Sequence, residues 1–133
     1  MADPMQVEVV SADEVVWSGE ATNIIAKTVD GDIGILANHS PVLAVLVPGG
    51  VEIVCPDGTR EIVAVESGFM SVSRGRVSIL SEYAKMAGEI SLAQAEKDLA
   101  AANAAIDGGD DSEETHQRFL RATAQVRAAQ KAH

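Results

Sequence analysis

Aromatic residues are almost missing from this chain: one tryptophan, one tyrosine and two phenylalanines in 133 residues. Apolar residues still make up 47%, so a core is possible, but it must be aliphatic, assembled from Val, Ile, Leu and Ala. Cysteine is reduced to Cys55. That excludes an internal disulfide and fits a reducing cytosol. With no histidine or acid beside it in a motif, Cys55 reads as a buried or edge-strand thiol. Positive charge is scarce as well. Ten Lys and Arg against twenty Asp and Glu give a net charge of −10, which argues against nucleic acid and against an anionic membrane surface as direct partners. No apolar run nears the roughly 18 residues of a membrane span. The opening Met1-Ala2-Asp3-Pro4-Met5 has neither the basic nor the apolar region of a secretory leader, so none is expected.

Proline is absent after Pro56, and composition changes near residue 84. Before that point the chain is rich in Val and Ile and punctuated by Gly, Pro and Asp, as strands are. The spacing predicts strands over 5–11, 14–18, 21–28, 34–36, 42–47, 50–54, 60–65, 68–73 and 76–80. Turn signals separate them at Asp30-Gly31, Pro48-Gly49-Gly50, Pro56-Asp57-Gly58 and Arg74-Gly75. Several runs alternate, as in Gln6-Val7-Glu8-Val9 and Val51-Glu52-Ile53-Val54. Short strands at this spacing indicate an antiparallel sandwich or barrel of roughly eight to ten strands.

After residue 84 the chain turns to Ala, Gln, Glu and Lys, which favour helix. Ser91-Leu92-Ala93-Gln94 reads as a reciprocal capping box, and Leu92, Ala95, Leu99, Ala102 and Ile106 form one stripe at helical spacing. Gly108-Gly109 ends that helix. Asp111-Ser112-Glu113-Glu114 starts a second, with acids at the positive end of its dipole and a stripe of Phe119, Ala122, Val126 and Ala129. Two helices joined by a short loop form an antiparallel hairpin. Its alanine-rich stripes are narrow, so by itself it is expected to be marginally stable.

Residues able to carry chemistry do not converge. His39, His116 and His133 are far apart, with no cysteine or acid at ligand spacing, so no metal site is expected. There is no nucleophile elbow, phosphate loop or dinucleotide fingerprint. Most carboxylates fall at alternate strand positions or in loops and read as a solvated face. Asn38-His39-Ser40-Pro41 reads as a turn whose side chains satisfy local backbone groups, or else as an exposed histidine at a sandwich tip that contacts a partner. The last helix is biased: Arg118, Arg121, Arg127 and Lys131 stand in a stretch with no acid. Its two readings are solvated surface and a helix that docks on an acidic partner.

The run Gly31-Asp32-Ile33-Gly34-Ile35-Leu36-Ala37-Asn38-His39-Ser40-Pro41-Val42-Leu43 closely resembles the glycine–isoleucine–leucine…histidine-x-proline signature of the epsilon-subunit family of bacterial rotary proton-translocating ATP synthases. Val9-Val10-Ser11 with Trp17-Ser18-Gly19 is similar to that family's first hairpin. Ser67-Gly68-Phe69-Met70-Ser71-Val72 and Val77-Ser78-Ile79-Leu80-Ser81-Glu82 are similar to its last strands. The resemblance continues through the alanine-rich hairpin.

The resemblance implies an antiparallel ten-stranded β-sandwich over 1–86 and a mobile two-helix antiparallel hairpin over 87–133. It implies a non-catalytic central-stalk rotor subunit, peripheral on the cytoplasmic face of the plasma membrane and touching the membrane only through the complex. Family members bind the gamma shaft with the sandwich and rest its end on the ring of c subunits. They couple rotation to proton flow. In bacteria they can inhibit ATP hydrolysis by extending the hairpin toward the alpha–beta hexamer. Carried onto this chain, Asp32 and His39, on adjoining loops, face the c ring. Pro41, Val42, Leu43, Gly68 and Phe69 face gamma. Arg118, Arg121, Arg127 and Lys131 meet an acidic segment of beta.

One departure matters. Many bacterial relatives carry an acid and an arginine at the start of the first helix, where regulatory ATP binds. Here Ser91 and Gln94 stand at those positions, and a phosphate loses its bidentate partner. No cofactor is therefore expected. The rival readings are a free-standing sandwich interaction domain with a helical appendage and a small β-sandwich enzyme.

Overall fold

In the computed structural model, which describes residues 3–12 and 14–132, the strands are β1 (Met5–Ser11), β2 (Glu14–Ala21), β3 (Asn23–Thr28), β4 (Gly31–Leu36), β5 (Val42–Leu46), β6 (Gly49–Val54), β7 (Arg60–Val65), β8 (Gly68–Ser73), β9 (Arg76–Ser81) and β10 (Ala84–Met86). A single 3₁₀ turn, Ala87–Glu89, leads to the helices α1 (Leu92–Asp107) and α2 (Glu113–Ala132). One layer runs β4-β3-β6-β7-β10 and the other β5-β8-β9-β1-β2. They join at a corner where Thr28 of β3 pairs with Leu46 of β5. Period-2 alternation turns Val7, Val9, Ile24, Ile35, Val51, Ile53, Val63, Met70, Val77 and Ile79 inward to one aliphatic core.

The sandwich is antiparallel as expected, with one exception among the described strands: β1 lies parallel to β9. Parallel neighbours need a long crossover, and the whole run from β2 to β8 supplies it. The resemblance implied ten strands, but no run in the sequence located the tenth. β10 is three residues long, pairs with Val63, Ala64 and Val65 of β7, and sits where composition already turns helical. Pro48-Gly49-Gly50 is not wholly a turn, because Gly49 and Gly50 open β6. Arg74-Gly75 is one: φ is +51° and +76°, the pair of positive values a tight hairpin requires.

Ser91 caps α1, its Oγ accepting from the Gln94 amide at 3.2 Å. The reciprocal half of the expected box is not made, because the Gln94 amide group donates forward to Asp98 at 2.9 Å. At the far end, Gly109 at φ +99° allows Asp110 N–H to donate to Ala105 O and Gly109 N–H to Ile106 O, a Schellman close. Ser112 Oγ accepts from the Thr115 amide and so caps α2. Beside it, Asp110 accepts from the Ser112 amide and the Thr115 hydroxyl. Those bonds hold its carboxyl well below the ordinary range, at about 2.

α2 lies between α1 and the sandwich, against β6, β7 and the 3₁₀ turn. Its expected stripe is only half of its apolar surface. Ala122, Val126 and Ala129 are buried, and so are Ala124 and Ala128. Ala128 packs on Ile62, Ala64 and Ala87. Consequently β6 and β7 are covered on both faces. The alternation expected to put Glu52 in water fails: Glu52 is 8% exposed and paired with Arg60.

Gly68 marks the tightest backbone approach. Its φ is +147°, and a Cβ there would fall 1.9 Å from the Leu80 carbonyl oxygen. Gly68→Ala must move β8 away from β9, and it is expected to destabilise the chain by about 3 kcal/mol or more. Urea unfolding followed by circular dichroism checks this; an unchanged midpoint would refute it.

Candidate functional site

The outer face of the β5-β8-β9-β1-β2 layer is divided. One row crosses the strands as Val45, Phe69, Leu80, Val10 and Val15, each paired with the next. The next two rows are polar apart from Leu43, which pairs with Ser71: Ser71, Ser78, Glu8 and Ser18, then Ser73, Arg76, Gln6 and Glu20. Phe69 and Leu80 are each 49% exposed, and Leu43, two residues from Val45 on the same face, is 68% exposed. Large side chains bare to solvent in one contiguous row mark an interaction surface. A bulge at Val9/Val10 re-aims the end of β1 and sets Val15 opposite Val10.

Of the five residues expected to face gamma, Phe69 belongs to this row and Leu43 adjoins it, paired with Ser71 in the next row. Pro41 is exposed just before β5. Val42 has the opposite parity and packs against the core. Gly68 is required by its backbone contact with Leu80. Val45, Leu80, Val10 and Val15 were not singled out from the sequence. The cross-strand register that lines them up is not visible in any single run.

Asp32 and His39 do not lie on adjoining loops. β4 begins at Gly31, so Asp32 is a strand residue opposite Lys27, and roughly 13 Å of strand separates it from Leu36. His39 follows Leu36, at the other end of β4. Its amide donates to Leu36 O at 3.0 Å, its Nδ1 lies 2.6 Å from Ser40 O, and Asn38 before it has φ +73°. These are the local bonds of a turn-former. The Asp32 end adjoins the apolar strip, since Val29 N–H donates to Val45 O.

Three of the four basic residues of α2 turn inward. Arg121 Nε is 3.3 Å from Glu66 Oε2, and its guanidinium lies 4.6 Å from the Tyr83 ring centroid. Gln125 donates to the Tyr83 hydroxyl at 2.7 Å. Arg127 donates to Pro48 O at 2.7 Å and Lys131 to Gly50 O at 3.4 Å. Arg118 stays out, with Glu114 at 3.8 Å on its own helix. Glu66, Tyr83 and Gln125 were missed. The available signal was Glu66 itself, a lone acid closing the apolar run Ile62-Val63-Ala64-Val65.

A cleft between α1 and α2, about 310 Å³, is lined by Asp98, Thr115, Arg118, Arg121, Gln125 and alanines. Arg121 is already held by Glu66, and Asp98 adds a carboxylate to the wall. Ser91 and Gln94 are engaged in capping and in the bond to Asp98. Arg118, also in the wall, has Glu114 at 3.8 Å and donates to the Thr115 hydroxyl, so each arginine of the cleft already has a carboxylate beside it.

Residues 4–87 match the sequence model of the ATP synthase Delta/Epsilon chain beta-sandwich domain. The ATP synthase epsilon chain of Cutibacterium acnes is 42% identical over 95% of this chain and 92% of its own length. The chain belongs to the ATP synthase delta/epsilon family. The epsilon chain of Streptomyces avermitilis is 45% identical over 78% of this chain and 84% of its own. In fold, the chain is similar to one in the cryo-EM structure of the Euglena gracilis mitochondrial ATP synthase, with a TM-score of 0.78 and 22% identity over 99% of this chain and 82% of that one. Family membership makes this a non-catalytic stalk subunit of an ATP synthase, and it sets aside the free-standing domain and the enzyme. No helix among the described residues is long and apolar enough to cross a membrane.

Titration of the full chain with magnesium ATP checks the cleft. No saturable binding is expected below about 1 mM, that is, affinity weaker than about −4 kcal/mol. A dissociation constant near 1 μM, about −8 kcal/mol, would show that other residues replace the acid and arginine.

Proposed function

We propose that the apolar strip seats the chain on the gamma subunit, that the Asp32 end of the sandwich rests on the ring of c subunits, and that the hairpin acts as a brake on ATP hydrolysis. The observation that carries this reading is the row of bare apolar side chains, Val45, Phe69, Leu80 and Val15 with Leu43 beside it, on the layer that the helices leave uncovered. A shaft that must turn with this subunit needs a dry, well-packed contact. Leu43, Val45, Phe69 and Leu80 supply the apolar area, and the serine rows bound it. Asp32, exposed at the neighbouring end, supplies charge for a polar loop of the ring. His39 acts as a turn-former, supported by its bonds to Leu36 and Ser40. The complex then lies on the cytoplasmic face of the plasma membrane, and this chain meets the bilayer only through its partners.

For the brake, the hairpin leaves the sandwich and carries its basic face to an acidic segment of beta. Arg118 is the residue best placed to make first contact, because among the described residues its partners, Glu114 and Thr115, lie on its own helix. The division at residue 87 follows from this: the sandwich holds the rotor, and the hairpin regulates.

Phe69→Glu, at a half-exposed site, should shift the melting temperature little, since exposed changes usually stay within about 0.5 kcal/mol. It should nevertheless abolish co-purification with gamma. Retained co-purification would overturn the proposed seat. The brake is tested in the assembled synthase: removing residues 88–133 should raise ATP hydrolysis severalfold, and Arg118→Ala should raise it partway. An unchanged rate after truncation would show that the hairpin does not inhibit.

A further inference from the structure

We infer that Glu66 and Arg121 form the latch that keeps α2 on the sandwich. The inference rests on the reading that the hairpin leaves the sandwich in the assembled synthase. Three basic residues of α2 reach the sandwich, but they meet different chemistry. Arg127 and Lys131 meet neutral carbonyls, of Pro48 and Gly50. Arg121 alone among them meets a carboxylate, and that carboxylate is buried: the Glu66 side chain is 6% exposed. The contrast with Glu52 is instructive. Glu52 is also buried, but its partner Arg60 lies on the next strand of the same sheet and stays with it wherever the helices go. The charge partner of Glu66 sits 55 residues away on the hairpin.

A buried carboxylate deprived of its cation is penalised far more than an exposed one. Docked, Arg121 compensates Glu66. Without Arg121, docking would bury Glu66 with no cation within ion-pair distance among the described residues. The geometry around the pair favours the docked state further. Tyr83 places its ring under the guanidinium and its hydroxyl under Gln125, one turn along α2. Both contacts therefore form only at one register of helix on sheet. An acidic partner that draws Arg121 away must offer at least the charge that Glu66 gives, so release is selective for acidic surfaces.

Hydrogen exchange on the full chain separates the latch from ordinary packing, with the β8–β9 amides as internal reference. Arg121→Gln should lower protection of the α2 amides about tenfold, because the buried carboxylate is stranded. Adding Glu66→Gln to that variant should restore protection to within about threefold of the parent, because no charge is then left uncompensated. A double variant as unprotected as Arg121→Gln alone would overturn the latch. The outcome is independent of the brake. Rescue together with an unchanged hydrolysis rate after truncation keeps the latch and removes the brake; a raised rate without rescue does the reverse.

Discussion

The approach of α2 to β6 governs most of what distinguishes this chain from a bare sandwich. A Cβ on Gly50 would fall 2.9 Å from the Ala128 Cα and 3.2 Å from Ile62 Cγ2. With glycine on the strand and alanine on the helix, the two backbones come nearly into contact. That closeness covers β6 and β7 on their outer face and brings Arg127 and Lys131 within reach of the Pro48 and Gly50 carbonyls. It also lays Arg121 over Tyr83 and Glu66. A larger residue at either position would lift the helix and lengthen every one of these bonds together.

The two layers therefore solve the problem of their outer faces differently. The β4-β3-β6-β7-β10 layer covers part of its face with the chain's own helix, through small side chains and a ring of polar contacts. The β5-β8-β9-β1-β2 layer keeps a bare apolar row with polar rows along one side of it. The first face is built for reversible contact: its buried apolar area is alanine-rich and small, so separation is cheap per residue. The second is built for permanent contact, since Phe69 and the Leu and Val side chains beside it bury far more area when covered. In the proposed reading, in which the subunit holds a shaft and moves a helix, this is the division of labour the two chemistries allow.

Much of the architecture could be read from the sequence because it rests on local signals. Period-2 alternation and the turn residues located nine of the ten strands, and Ser91, Gly109 and Ser112 bounded the helices. What escaped depends on partners remote in sequence. β10 exists because β7 offers an edge to three residues, not because Ala84-Lys85-Met86 has strand character. Glu52 and Glu66 look like members of a solvated face until a helix some sixty residues later covers one side of the sheet. The apolar strip is assembled from single exposed residues on five strands, each unremarkable in its own run. The family signature conveyed the subunit's role but misplaced Asp32 and His39 relative to each other, because Gly31 and Gly34 are strand residues here, and a strand holds its ends apart.

The basic character of α2 shows why a charge pattern alone leaves the partner open. Four cations and no acid along 118–131 say that the helix meets negative charge or carbonyl oxygens somewhere. Arginine and lysine reach far enough to meet either, and in the docked chain three of the four do so on the sandwich. The same side chains cannot serve a second acidic surface without first leaving these partners. In the proposed reading, docked and extended states thus compete for one set of charges, and the balance between them is set by the quality of two carboxylate contacts rather than by the total charge of the helix. Glu66 is buried but the Arg121 side chain is half-exposed, so salt screens their contact only in part, whereas an exposed acidic patch on a partner is weakened by salt within about 8 Å at physiological ionic strength. In the proposed reading, extension then requires a partner whose acidic contact outweighs the one that the buried Glu66 carboxylate makes.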